Sequence, residues 1–212
     1  MRCTAFLLVS LASTAGAAQG RDDGGESGRR PSLPRAEEIA LARSAAPASI
    51  SDSATIYVLT DSGYVIGAKG TSGAACYVSR DWINSVEPHC FDPEGAETIL
   101  PMHMHKVGML HAGKSKAQSD AAVAEGISNG RFRLPRRPVM SYMMSAEQKL
   151  IAPNGTPVGA WRPHLMIYYP YLTNADLGLT GDDAMGAASV VDPGLPTANI
   201  MVIVPEFVAV RR

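Results

Sequence analysis

Beyond its first eighteen residues the chain has no hydrophobic run longer than a strand; the longest, 165–169 and 200–204, fall far short of the roughly 20 residues that span a bilayer. Neither sign of charge prevails, with 19 basic and 20 acidic residues, so no global field draws the protein to nucleic acid or to an anionic membrane. Cysteine is scarce, at three, and aromatic residues make up only 6%. There is no Gly-x-Ser-x-Gly elbow, phosphate loop, Gly-x-Gly-x-x-Gly fingerprint, His-Glu-x-x-His pair or internal repeat. Their absence removes the motif-borne routes to serine hydrolysis, nucleotide binding and zinc proteolysis.

What is present begins at the amino terminus. Arg2, the apolar run from Ala5 to Ala12 and the small residues Ala15-Gly16-Ala17-Ala18 have the layout of a secretory signal peptide over residues 1–18. Its one cysteine, Cys3, precedes the apolar run, so no lipid attachment is expected at the cut. The mature protein is expected in the periplasm or outside the cell, without a membrane anchor. About 195 residues then remain, enough for one domain with its own core.

Export leaves Cys76 and Cys90 as an even pair in an oxidising compartment, and a disulfide between them is expected. The competing reading, a reactive Cys90 thiolate beside His89, fails on direction, because neighbours in a strand point to opposite faces.

Residues 19–33 are polar almost throughout and are expected to be a disordered leader to a single domain over 34–212. A short helix opens that domain after Pro34 and stops before Pro47, with Glu37 and Glu38 in its first turns. Ala54 to Leu59 and Tyr64 to Lys69 are extended, joined by Asp61-Ser62-Gly63. With 74–78 they are expected to form an antiparallel meander whose last strand the disulfide ties to the following loop. Residues 99–112 read as a helix ending at Gly113, with Met102, Met109 and Leu110 inward. Ser115-Lys116-Ala117-Gln118 is a capping box opening a second helix that stops at Asn129-Gly130. Strands return at 139–144, 150–151, 165–169 and 199–204, with a turn at 153–157 and a long Gly/Asp-rich loop at 173–198. The order predicts an α+β fold, a mostly antiparallel sheet of about six strands with helices on one face. At fold level it resembles the PAS and profilin-like folds, a likeness that fixes no function.

Three segments carry candidate chemistry. His103 and His105, two apart in a helix, lie about 200° from one another, and His111 is two turns from His103; no metal site or other cofactor is expected there. Arg136 and Arg137, with Arg131 and Arg133, could clamp a planar anion, being stiffened by Pro135 and Pro138. Trp161-Arg162-Pro163-His164, running into Leu165 to Tyr169 and then the long loop, has the layout of a rigid strand presenting a site to a lid. His164 is the leading binding or acid-base candidate there, with Arg162 and Tyr168 as partners.

The segments Glu87 to Gly95, Pro135 to Pro138, Tyr142 to Ser145 and Pro163 to Tyr171 are similar to a group of exported bacterial proteins to which no activity is assigned. The resemblance spans about 46–205 and implies an intact exported domain; it brings no cofactor or catalytic role to any residue. The expectation is thus a protein that binds a small molecule or a protein partner through the His164 strand and the 173–198 loop. A hydrolase using His164 with Tyr168 or Asp182 and a purely structural envelope protein are the alternatives.

Overall fold

The computed structural model of the protein describes residues 28–82, 84–152, 154–158, 162–179 and 190–211. β1 (Thr55–Thr60) and β2 (Gly63–Ala68) form the expected antiparallel hairpin, and Gly63 takes the positive φ of 106° that its turn requires. β3 (Ala75–Ser79) does not extend a meander. It lies parallel to β1, with Thr55 opposite Ala75 and Ile56 opposite Cys76. Gly70 makes the return possible. A Cβ there would sit 2.2 Å from the Ala54 carbonyl carbon, and Thr71 and Ser72 donate backbone hydrogen bonds to Ser53 O. The chain therefore crosses the start of β1 and enters the sheet on its far side.

β4 (Glu87–Phe91) follows antiparallel to β3, and the sheet continues through β5 (Val139–Met143), β6 (His164–Tyr168), β8 (Asn199–Ile203) and the short β7 (Val190–Val191). The order is β2-β1-β3-β4-β5-β6-β8-β7, eight strands where six were expected, antiparallel everywhere except between β1 and β3. The two additions are β4, expected as loop, and β7, which lies inside the long 173–198 loop. Residues 150–151 form only an isolated bridge, Ile151 to Pro157.

Helices cover both faces of the sheet, not one. Alternate strand residues point to opposite sides. Ile56, Cys76, Val78 and Cys90 pack with Leu41 and Ala42 of α1 (Arg35–Arg43) and with Ala45. Ala75, Tyr77, Phe91, Val139 and Tyr168 pack on the other side with Ile99, Leu100 and Met102 of α4 (Ile99–His111). Met109, expected inward, is only half-buried, and Val107 takes its place in the core. Short α2 (Ala48–Ser51) follows Pro47. α3 (Pro93–Glu97) is capped by Asp92, whose side chain accepts from Gly95 N at 2.7 Å. α5 (Lys116–Ser128) starts with the Ser115/Gln118 capping box and packs along α4.

Part of the expected leader belongs to the body. Gly28 N donates to Leu110 O and Arg30 N to His111 Nδ1. The Arg30 guanidinium, in a residue 1% exposed, donates to the Arg80 and Asp81 carbonyls, so residues 28 and 30 are bonded to the body that was expected to open at residue 34. The expected signal segment and residues 19–27 lie outside the described residues.

Cys76 and Cys90 are bonded, and they are direct register partners of β3 and β4 rather than a strand-to-loop tie. With the bonded positions 14 apart in sequence, replacing both by alanine is expected to cost about 3 kcal/mol. Urea unfolding of the double variant against the oxidised protein checks this, and equal midpoints would refute it.

Candidate functional site

The structure places the sequence-derived candidates in different surroundings. Arg162 is exposed. His164 is buried and donates from Nδ1 to the Arg162 carbonyl at 2.8 Å; burial lowers its pKa, partly offset by that bond. Asp176, an acid of the long loop, is exposed and accepts from Thr173 N and Oγ1 at 2.8 and 2.7 Å, which hold its carboxyl below the ordinary range. It therefore caps its own turn rather than meeting His164. Trp161, Asp182 and Asp183 lie outside the described residues. Arg136 and Arg137 sit beside the acidic start of α3: Arg136 N donates to Glu94 and the Arg137 guanidinium to Asp92, at 3.0 and 3.3 Å. Arg133 bridges Glu94 and Glu97 at 2.8 and 3.0 Å. Arg133 and Arg137 thus tie α3 to the loop before β5 through their side chains, and Arg136 does so through its backbone N–H.

Tyr168 leads elsewhere. It shares one face of β6 with His164, and its ring meets Phe91 and His103 at centroid distances of 5.8 and 5.9 Å. From there a continuous cluster spreads beneath α4. Tyr77 and Ser79 alternate along β3, and Glu87 and His89 along β4, so all four point to the α4 side. α4 answers with His103 and Lys106, three residues apart on one stripe. The Tyr77 hydroxyl and His103 Nδ1 share a hydrogen bond at 3.2 Å, and His89 Nδ1 and Ser141 Oγ share one at 3.3 Å. Ser79 donates to Asp81, which follows β3, at 3.2 Å.

Electrostatics tie these groups together. Burial, with help from the charge on His103, pushes His89 down to about 3, and burial also lowers His103. Both rings are therefore neutral at neutral pH. Burial and then the Asp81 charge raise the Glu87 pKa well above its ordinary value, favouring its protonated form. Burial pushes Asp81 upward too, but Lys106, His103 and His89 outweigh it and keep Asp81 ionised; Asp81 in turn is the largest cause raising Lys106. Burial first, then Asp81, drives Tyr168 and Tyr77 far above the ordinary tyrosine range.

The long loop does contribute an acid, from an unforeseen position. Asp192, at φ 52°, is one of two described non-glycine residues with positive φ, and Tyr171 on the same loop is the other. Asp192 acts electrostatically on His103, Lys106 and Tyr168. Strained backbone of this kind persists only where its surroundings over-determine it. The cluster reaches solvent through half-buried Asp81, His103 and Lys106 and exposed Asp192, while His89, Glu87 and Tyr168 form its floor. On that floor Glu87 Oε1 is buried with no hydrogen-bond partner among the described residues.

No group of three or more His, Cys, Asp or Glu side chains among the described residues is arranged to hold a metal ion. Nor is any described helix long and apolar enough to cross a membrane. Comparison with protein-family models, with curated proteins and with solved structures returns no match. The chemistry therefore rests on the geometry alone.

Proposed function

We propose that this is an exported domain that binds a small polar molecule, without turning it over, in the cluster between the sheet and α4. The observation that carries the reading is convergence. β4, β6, α4, the segment after β3 and the long loop each bring a titratable side chain to one partly open spot, with an unpartnered Glu87 oxygen on its floor. The groups on offer are neutral imidazoles, a carboxyl whose protonated form burial favours, tyrosine hydroxyls, one lysine, and two aspartates facing it. That inventory suits an uncharged or zwitterionic ligand rich in hydroxyl or amide groups and disfavours an anion.

Hydrolysis is the weaker reading. The Ser141–His89 pair has the spacing of a nucleophile and its base, but Ser141 is 0% exposed in the middle of the sheet, and an imidazole held near 3 is a weak base.

A thermal-shift screen of sugars, nucleosides, amino acids and organic acids tests the proposal. At about a hundred times its Kd a ligand adds roughly 2.7 kcal/mol, several degrees in melting point. Hits are expected among uncharged and zwitterionic compounds, to shrink by at least half in His103→Ala and Asp192→Asn, and to persist in Arg162→Ala. Hits confined to anions, or indifferent to both His103 and Asp192, would overturn it.

A further inference from the structure

On the opposite face of the sheet a cleft of about 1040 Å³ runs between α1 and the C-terminal segment at Val210 and Arg211. That is the upper end of the size range of small-molecule sites. Its floor is apolar, formed by Leu33, Ile39, Val86 and Val210. Ala36 and Ala40, one turn apart on α1, leave the floor open where longer side chains would fill it. Arg43, one turn further along, stands at the end of this stripe in the last turn of the helix.

Arg43 is the unusual member. Its Nε is buried and has no hydrogen-bond partner among the described residues. The acid whose charge it feels, Asp52, is already held through both carboxylate oxygens by Arg211, at 2.5 and 3.1 Å. Glu37 and Glu147 are exposed on the outer rim, where water screens them. The cleft thus offers a hydrocarbon-lined track, about 10 Å long from Ala36 to Arg43 at the helical rise, ending at the Arg43 guanidinium, which has no ion-pair partner among the described residues. A guanidinium fork matches a carboxylate in both geometry and charge.

We propose that this cleft binds a fatty carboxylate, its chain along Ala36 and Ala40 and its head on Arg43. The proposal is independent of the histidine cluster, which lies across the sheet.

Dodecanoate, kept below its micellar concentration and titrated calorimetrically into the mature protein, is the test, with dodecylammonium as the oppositely charged comparator. The wild type is expected to bind dodecanoate one to one and dodecylammonium at least about tenfold more weakly. Arg43→Gln should weaken dodecanoate about tenfold, the loss of one charge-assisted hydrogen bond. Ala40→Trp, filling the track, should abolish binding; Ala36→Trp, at an exposed position, is the alternative block if Ala40→Trp melts early. Absence of dodecanoate binding, equal affinity for both probes, or unchanged affinity in Arg43→Gln would overturn the proposal. So would a concentration-dependent dimer that closes the cleft to dodecanoate, which would assign this face to a second copy.

Discussion

Glu38→Ala is expected to remove about 3–5 kcal/mol of folding stability, a large share of what a domain of this size has. Glu38 and Arg80 form an ion pair at 3.0 Å with side chains 0% and 2% exposed, joining α1 to the end of β3. The same carboxylate oxygen accepts from Leu59 N at 3.0 Å, and Arg80 also donates to Val78 O. Truncation would strand a buried guanidinium without its counter-charge and a β1 amide without its acceptor. Breaking such a pair costs more than the pair contributes, because the remaining charge stays desolvated. Replacing both partners by methionine should therefore recover most of the loss. Urea midpoints of the two single variants and the double variant settle the matter; a double variant as unstable as Glu38→Ala would contradict it.

Acidification is the second large effect. His89 is held near 3 against an ordinary 6.5, and burial also depresses His103, His105 and His164. Between the folded and ordinary values the unfolded chain binds more protons than the folded one. The stability linked to these rings is thus intact above about pH 6.5 and is lost as the pH falls toward 3. By pH 5 His89 alone accounts for about 2 kcal/mol. Glu87 works in the opposite sense, since its raised pKa favours folding at low pH and that gain is lost as the pH rises above 4.5, so it offsets part of the loss from the four rings. The melting temperature is expected to drop by about 5–10 °C between pH 7 and pH 5, and His89→Phe should flatten the profile. A melting temperature that holds or rises at pH 5 would refute the argument.

Local chemistry was the part of the fold legible in the sequence. The Asp61-Ser62-Gly63 hairpin, the Ser115/Gln118 capping box and the paired cysteines each act over a few residues and appear as read. β4 was missed because Pro88 lacks a donor and Glu-Pro-His reads as loop; its ladder to β5 indeed spans only Cys90 and Phe91. The parallel entry of β3 depends on Gly70 crossing β1, a contact with no local signature. The second helical layer did leave a trace. Ala75 to Ser79 is buried at every position, and its uninterrupted small and apolar run, rather than an alternating one, is the mark of a strand covered on both faces.

The site divides in the same way. His164 and Tyr168 do share one buried face of β6, but Arg162 turns outward and the described loop acid that reaches the cluster is Asp192 rather than Asp176. In the sequence His103 stands beside other histidines on a helix and His89 beside Cys90, and neither spacing marks a shared cluster. Their association through Tyr77 and Phe91 spans three elements that sequence spacing cannot relate. The usable signal was polar residues at a period of two inside otherwise apolar strands, Tyr77 with Ser79 and Glu87 with His89.

The account stands on a desolvated group of titratable side chains beneath α4, and the imidazole nitrogens report on it directly. In nitrogen-detected NMR spectra of the protein, His89 is predicted to remain neutral from pH 8 down to at least pH 4.5. A His89 ring that titrates near 6.5, as a solvated histidine does, would contradict the account at its base.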